Sequence, residues 1–193
     1  MNDKYRMQYA KLLWECRYRI DSIRDIRDTA SHATYLQVVI ESEALQLREI
    51  LELIAYSSLV SHQDAYYEAR SKIASDWHAA RILKNVARIN PEFYPVPIDG
   101  VKNGNWKRVR GGFLTKKQFM TLYDKCSDIL HAENPFNKTR NFINFHNKVP
   151  HYIERIEGLI SEHYVKLAGD GCIHVIVSPS TEGKIEVRYL IPR

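Results

Sequence analysis

A chain of 193 residues is long enough for one domain with a real core, or one domain with a small appendage. With 45% hydrophobic and 26% charged residues it is not disordered throughout, and no run approaches the roughly 18 apolar residues of a membrane span. The net charge of +5 and pI of about 9.0 are mild, so what matters is where the cations sit. The first residues, MNDKYRMQYAK, lack the apolar core of a signal peptide. Cys16, Cys126 and Cys172 are odd in number and far apart, which reads as reduced thiols in a cytoplasmic protein.

In chain order, Asp3–Ile26 places Tyr9, Leu12, Leu13, Cys16, Ile20 and Ile23 at helical spacing, with Lys11, Glu15, Arg19 and Arg27 on another face. Ala33–Val60 is the most apolar segment and reads as the central buried helix, with Leu36, Ile40, Ala44, Leu47, Leu51 and Ile54 in one stripe and Leu45 widening it. Glu41, Arg48 and Glu52 share a face there, and charges on a buried helix must be paired or lie at an interface. Asp64–Ile89 reads as a third helix with Asp64 as its N-cap, ending before Asn90–Pro91.

Residues 90–114 hold three prolines and four glycines and read as one long loop. From Val101 to Lys117 there are six cations and no acid, with Trp106 and Phe113 interleaved. Lys107, Arg108 and Arg110 are therefore candidate phosphate ligands for single-stranded nucleic acid; the alternative is a solvated basic loop. Thr115–Gln118 has the form of a capping box and opens a helix with Phe119, Leu122, Cys126, Ile129 and Leu130 inward. Asn134–Pro135 ends it. Thr139 then caps a last helix carrying Phe142, Phe145, Val149, Ile153, Ile156 and Ile160, in which Pro150 removes the amide that would bond to the His146 carbonyl, so a kink or break is expected. Alternation in Ile173, Val175, Val177 and in Ile185, Val187, Tyr189, Ile191 reads as a C-terminal β-hairpin, too small to stand alone. The expected fold is mainly α: about five helices over residues 1–168, then the hairpin at 169–193.

The chemistry concentrates in Asp128–His146, DILHAENPFNKTRNFINFH, where one helix ends and the next begins. Its Arg140-Asn141-x4-His146 resembles the Arg-x4–6-His motif of the HEPN superfamily, small helical proteins of which many are ribonucleases. The resemblance covers residues 1–168. It implies a helical bundle, usually a homodimer, with a metal-independent RNase site and no cofactor, of a kind found in bacterial antiviral defence and toxin–antitoxin systems. It also implies catalytic roles for Arg140, Asn141 and His146. His131 is a second candidate acid or base, or else a helix end with Asn134 turning the chain. Lys138 and Asn134 are candidate substrate contacts. Glu41 or Arg48 would supply the polar residue that an earlier helix brings to such sites, although a structural network is the plainer reading of that pair.

The mechanism is sound physically. RNA carries its own nucleophile, the 2′-OH; a histidine can take that proton or give one to the leaving 5′-oxygen, and an arginine can hold the phosphate. On a regular helix residues six apart stand about 120° apart around the axis. Arg140 and His146 converge only through a frayed first turn, a Pro150 kink or a site spanning two chains. The rival reading is a non-catalytic helical scaffold or regulatory subunit that binds a protein partner, the hairpin included in its surface. The readings separate on whether Arg140 and His146 face one solvent-reachable cleft. No P-loop or dinucleotide fingerprint is present, and the remaining histidines lack metal-ligand spacing.

Overall fold

The computed structural model describes residues 3–63, 65, 78–102, 105–132, 136, 140–169, 171–178 and 183–191. The candidate residues Asn134 and Lys138, the expected caps Asp64 and Thr139, and the expected stop at Asn134–Pro135 lie outside them.

Among the described residues there are five α-helices and a five-stranded antiparallel sheet. Helix α1 (Asp3–Asp28) buries Tyr9, Leu13, Cys16, Ile20 and Ile23, the stripe expected from its spacing. A 3-10 turn, Ala30–His32, leads to α2 (Leu36–Ser61), which is buried along Ile40, Ala44, Leu47, Ile50, Leu51 and Ile54 and packs against α1, α3 (Ala79–Ile89), α4 (Lys116–Leu130) and α5 (Phe142–Ile160). Leu36 and Leu45, expected in that stripe, are exposed instead. Thr115 caps α4 in a full capping box: its hydroxyl accepts from the Gln118 amide at 3.3 Å, and the Gln118 side chain accepts from the Thr115 amide at 3.0 Å. No described helix is long and apolar enough to cross a membrane.

The sheet corrects the sequence reading. Its strands are β1 (Val96–Lys102), β2 (Asn105–Arg108), β3 (Glu162–Lys166), β4 (Cys172–Val177) and β5 (Ile185–Leu190), in the order β2-β1-β3-β4-β5. The supposed long loop, residues 90–114, holds a strand pair in its middle. Ile98 pairs with Arg108 and Val101 with Trp106, so β1 carries one extra residue between those pairs, a bulge that Gly100 absorbs at φ 74°. Pro97 is tolerated because it sits at the end of the β1–β2 ladder, where its carbonyl accepts from the Val109 amide at 3.0 Å just before the first β1–β2 pair, Ile98 with Arg108. The C-terminal hairpin is thus no appendage. It extends through β3 into the sheet, and β5 packs on α1.

The two sheet faces differ. His163, Val175 and Val187 stand in one row, and Val165, Ile173 and Tyr189 in the next, toward the helices. Fully buried His163 bonds to the Tyr9 hydroxyl at 2.9 Å, and burial pushes its pKa down to about 4, so it is neutral at pH 7. Tyr164, His174 and Arg188 form a row on the opposite face.

Candidate functional site

Helix α5 presents its polar residues on two sides, and its start fixes their phase. The Asn141 side chain accepts from the Asn144 amide at 2.8 Å and caps the helix, so Asn141 acts as a cap in this structure. Phe145, Val149, Ile153 and Ile156 then face the core, and His146 is turned toward α1 and α2.

There His146 meets a buried carboxylate. Its Nδ1 lies 2.9 Å from Glu43 Oε2, and Glu43 is fully buried. Glu43 stands in phase with Leu47, Ile50 and Ile54 on the buried stripe of α2. Arg27, in the last turn of α1, donates through Nη1 to Glu43 Oε1 at 2.6 Å and to the His146 carbonyl at 3.0 Å. That second bond resolves the Pro150 problem: the carbonyl left without its helical amide is satisfied by Arg27, and α5 runs unbroken through the proline. The expected break does not occur. Arg27 Nη1 also lies 3.2 Å from His146 Nδ1, but two donors cannot bond each other. With the Arg27 hydrogens directed at two oxygens, the imidazole proton belongs on Nδ1, donated to Glu43. The His146 side chain is 17% exposed, and its Nε2 makes no hydrogen bond among the described residues.

Arg140 lies elsewhere. Its guanidinium donates to the carbonyls of His131, at closer range, and of Ala132, at 3.2 Å, where α4 ends. A cation there complements the negative end of the helix dipole. Beside it is a cavity of about 210 Å³ lined by Lys125 and Asp128 of α4 and by Asn144, Lys148 and Tyr152 of α5. Asn144 and Lys148 are each two residues from His146, roughly 160° around the helix from it. His146 does not line this cavity. Within one chain the motif's arginine and histidine therefore serve opposite sides of α5. His131 contributes a backbone carbonyl at the α4 end, and its side chain is exposed.

The other candidates are distributed. Arg48 bonds Glu52 at 3.2 Å, the Tyr123 hydroxyl at 3.2 Å and Ser127 at 3.3 Å, and Tyr123 donates to Glu52 at 2.9 Å. This network ties α2 to α4; burial first, then Glu52, pushes the Tyr123 phenol up to about 12 against the lowering effect of Arg48. Glu41 accepts from Gln37 at 3.1 Å. Neither Glu41 nor Arg48 bonds to Arg140 or His146. Lys107 pairs with Asp99, Arg108 stands 5.7 Å over the Tyr164 ring, and Arg110 is exposed.

Sequence reasoning missed Glu43 and Arg27 as site residues. The available signal was a carboxylate in register with an apolar stripe, a position that demands a cationic partner. Among the described residues no three metal-ligating side chains come together. No family model, no curated protein and no solved structure matches this chain, so the chemistry must be argued from these side chains alone.

Proposed function

We propose that this chain binds RNA and cleaves it without a metal ion, His146 moving the proton and Arg140 of a second copy holding the scissile phosphate. The observation that carries this reading is the 2.9 Å contact between Glu43 and His146. A buried carboxylate that receives Nδ1–H fixes both ring orientation and tautomer and leaves Nε2 as the working nitrogen, the arrangement a general base requires. Nε2 takes the 2′-OH proton as that oxygen attacks the neighbouring phosphorus. The bond to the 5′-oxygen breaks, that oxygen takes a proton from solvent water, the His146 imidazolium returns its own proton to solvent, and a 2′,3′-cyclic phosphate remains. Because Arg140 and His146 face opposite sides of one α5, a symmetric pair of chains is the arrangement that brings an arginine to a histidine. The HEPN resemblance points the same way, and to a role in bacterial defence or a toxin–antitoxin system.

A second reading rests on Arg140 itself. Folded onto the end of α4 and flanked by exposed Lys125 and Lys148, it builds an anion pocket that needs no histidine, as in a non-catalytic binding or regulatory subunit. One experiment separates the two. Arg140→Ala chains and His146→Asn chains are assayed on total RNA in EDTA, each alone and then mixed. Asn is chosen because its amide nitrogen replaces Nδ1 against Glu43. Recovery of cleavage only in the mixture supports the two-chain site; no cleavage by wild type, with RNA still bound, leaves the binding reading.

A further inference from the structure

A second cleft, which none of the α5 residues lines, lies at the edge of the sheet face turned from the helices. It has a volume of about 550 Å³, within the roughly 300–1,000 Å³ of small-molecule sites. The bulge at Gly100 shapes the β1–β2 pair that carries one wall of it. Trp106 of β2 is half-buried in that wall. Its ring stacks on Tyr164 with centroids 5.4 Å apart and an interplanar angle of 27°, and meets His174 edge-on at 4.8 Å. Tyr164 and His174 are themselves buried, so Trp106 is the outermost ring of the stack and is held from beneath. The Arg108 guanidinium, 5.7 Å from the Tyr164 ring centroid, gives the same cleft a cation. The acid in the cleft, Glu92, is occupied by Lys166, with both oxygens at 2.7 Å. Cys172 lines the floor, and burial pushes its thiol up, so the cleft offers no thiolate nucleophile.

A fixed indole over a second aromatic, with a cation beside it and no reactive group, suits a ligand that is flat and apolar at one end and anionic at the other. We propose that this cleft binds a nucleobase and its attached phosphate, the base stacking on Trp106 and the phosphate meeting Arg108. The source is an unpaired nucleotide, either free or within single-stranded RNA. The RNA arm deepens the RNA-binding reading given above; the free-nucleotide arm is independent of it.

The test uses the full chain in its His146→Asn form, so that bound RNA stays intact. Affinities for a labelled single-stranded oligonucleotide, for the same sequence as duplex, and for AMP and UMP are compared with those of Trp106→Ala, Trp106→Phe and Arg108→Ala. Loss of one base stack is expected to weaken single-strand binding about 5- to 150-fold in Trp106→Ala, with most affinity retained in Trp106→Phe. Arg108→Ala, which alters an exposed residue, should weaken binding and lower the salt slope by about 0.7 for the lost phosphate contact. The duplex should compete poorly. Nucleotide binding sensitive to Trp106 without any RNA binding would sustain the cleft and end the RNA reading. RNA binding unchanged in all three variants would end the cleft and leave the RNA reading intact. No binding of either ligand would overturn the cleft.

Discussion

On one side of α5, His146 reaches a fully buried carboxylate; on the other, Arg140, Lys125 and Lys148 ring a cavity among exposed residues. The two are adjacent in sequence and differ in what their charges do. In the buried junction every charge is answered: Glu43 by Arg27 and His146, and the carbonyl orphaned by Pro150 by Arg27. Such a network fixes geometry, because no member can leave without exposing another. At the cavity the lysines stay near water, so their charges are available to an incoming anion. Orientation and attraction are thus divided between the two faces of one helix, and the proposed cleavage would require that a second chain bring the faces together.

The largest effect tests the buried side. If the chain acts as proposed, replacing His146 with Asn should lower RNA cleavage by about 100- to 10,000-fold, the usual cost of losing a general acid or base, with affinity for RNA nearly unchanged. Cleavage should survive EDTA and leave a 2′,3′-cyclic phosphate, and a 2′-deoxy nucleotide at the cut site should resist. Full activity in the variant, or cutting of the deoxy substrate, would remove the mechanism.

Next is the carboxylate. Glu43→Ala leaves Arg27 facing a cavity without its partner, and breaking a buried pair on one side costs about 3–5 kcal/mol. The chemical melting midpoint should fall accordingly, and activity should fall further than stability explains, because the His146 ring loses its orientation. Replacing Arg27 and Glu43 together by Met and Leu should recover much of the stability and none of the activity. A Glu43→Ala chain as stable as wild type would mean that the junction is a surface feature.

These residues also show where sequence reading succeeds and fails. The stripe of α1 and the capping box at Thr115–Gln118 were legible because spacing of three and four and a reciprocal side-chain pair are local signals. Strand β1 was not, because Pro95, Pro97 and Gly100 are loop residues by composition, and only the partners on either side show why each fits. Strand β3 was hidden because its five residues follow the helix after a single residue, Ser161, with no breaker between them. His146 and Arg140 were visible as letters, but their divergence depends on where the Asn141 cap starts the helix. Glu43 was visible as an acid and was missed as a ligand, since its partner lies 103 positions away.

A third prediction concerns acid. His163 is neutral in the folded chain, with its pKa lowered to about 4, whereas in the unfolded chain it takes a proton near 6.5. Between those values the unfolded state binds more protons, so stability falls as pH drops from about 6.5 to about 4, by a total on the order of 3 kcal/mol. Buried His62, also shifted down, acts in the same direction. Urea midpoints across pH 7 to 4 should show this slope. A His163→Gln chain, which keeps a polar group near Tyr9 and does not titrate, should show a shallower one. An identical slope in that variant would assign the acid sensitivity to other groups.

The smallest effect on folding, and the sharpest on the comparison, is expected at Arg140. Its contacts include two backbone carbonyls at the end of α4. A cation at a helix C-terminus contributes about 0.3–1 kcal/mol, so Arg140→Ala should lower the melting temperature by only a few degrees. RNA affinity is the discriminating quantity. An arginine that leaves those carbonyls to hold a phosphate should, when removed, weaken binding, reduce the salt slope by about 0.7 and lower turnover. Arg140→Lys should restore the slope, since a point charge suffices for ion release, but not the turnover, since a lysine lacks the paired donors that hold two phosphate oxygens. A small melting shift with unchanged affinity would make Arg140 a helix cap alone. Lys125 and Lys148 would then be the anion-binding groups on that side, and the chain a binding module.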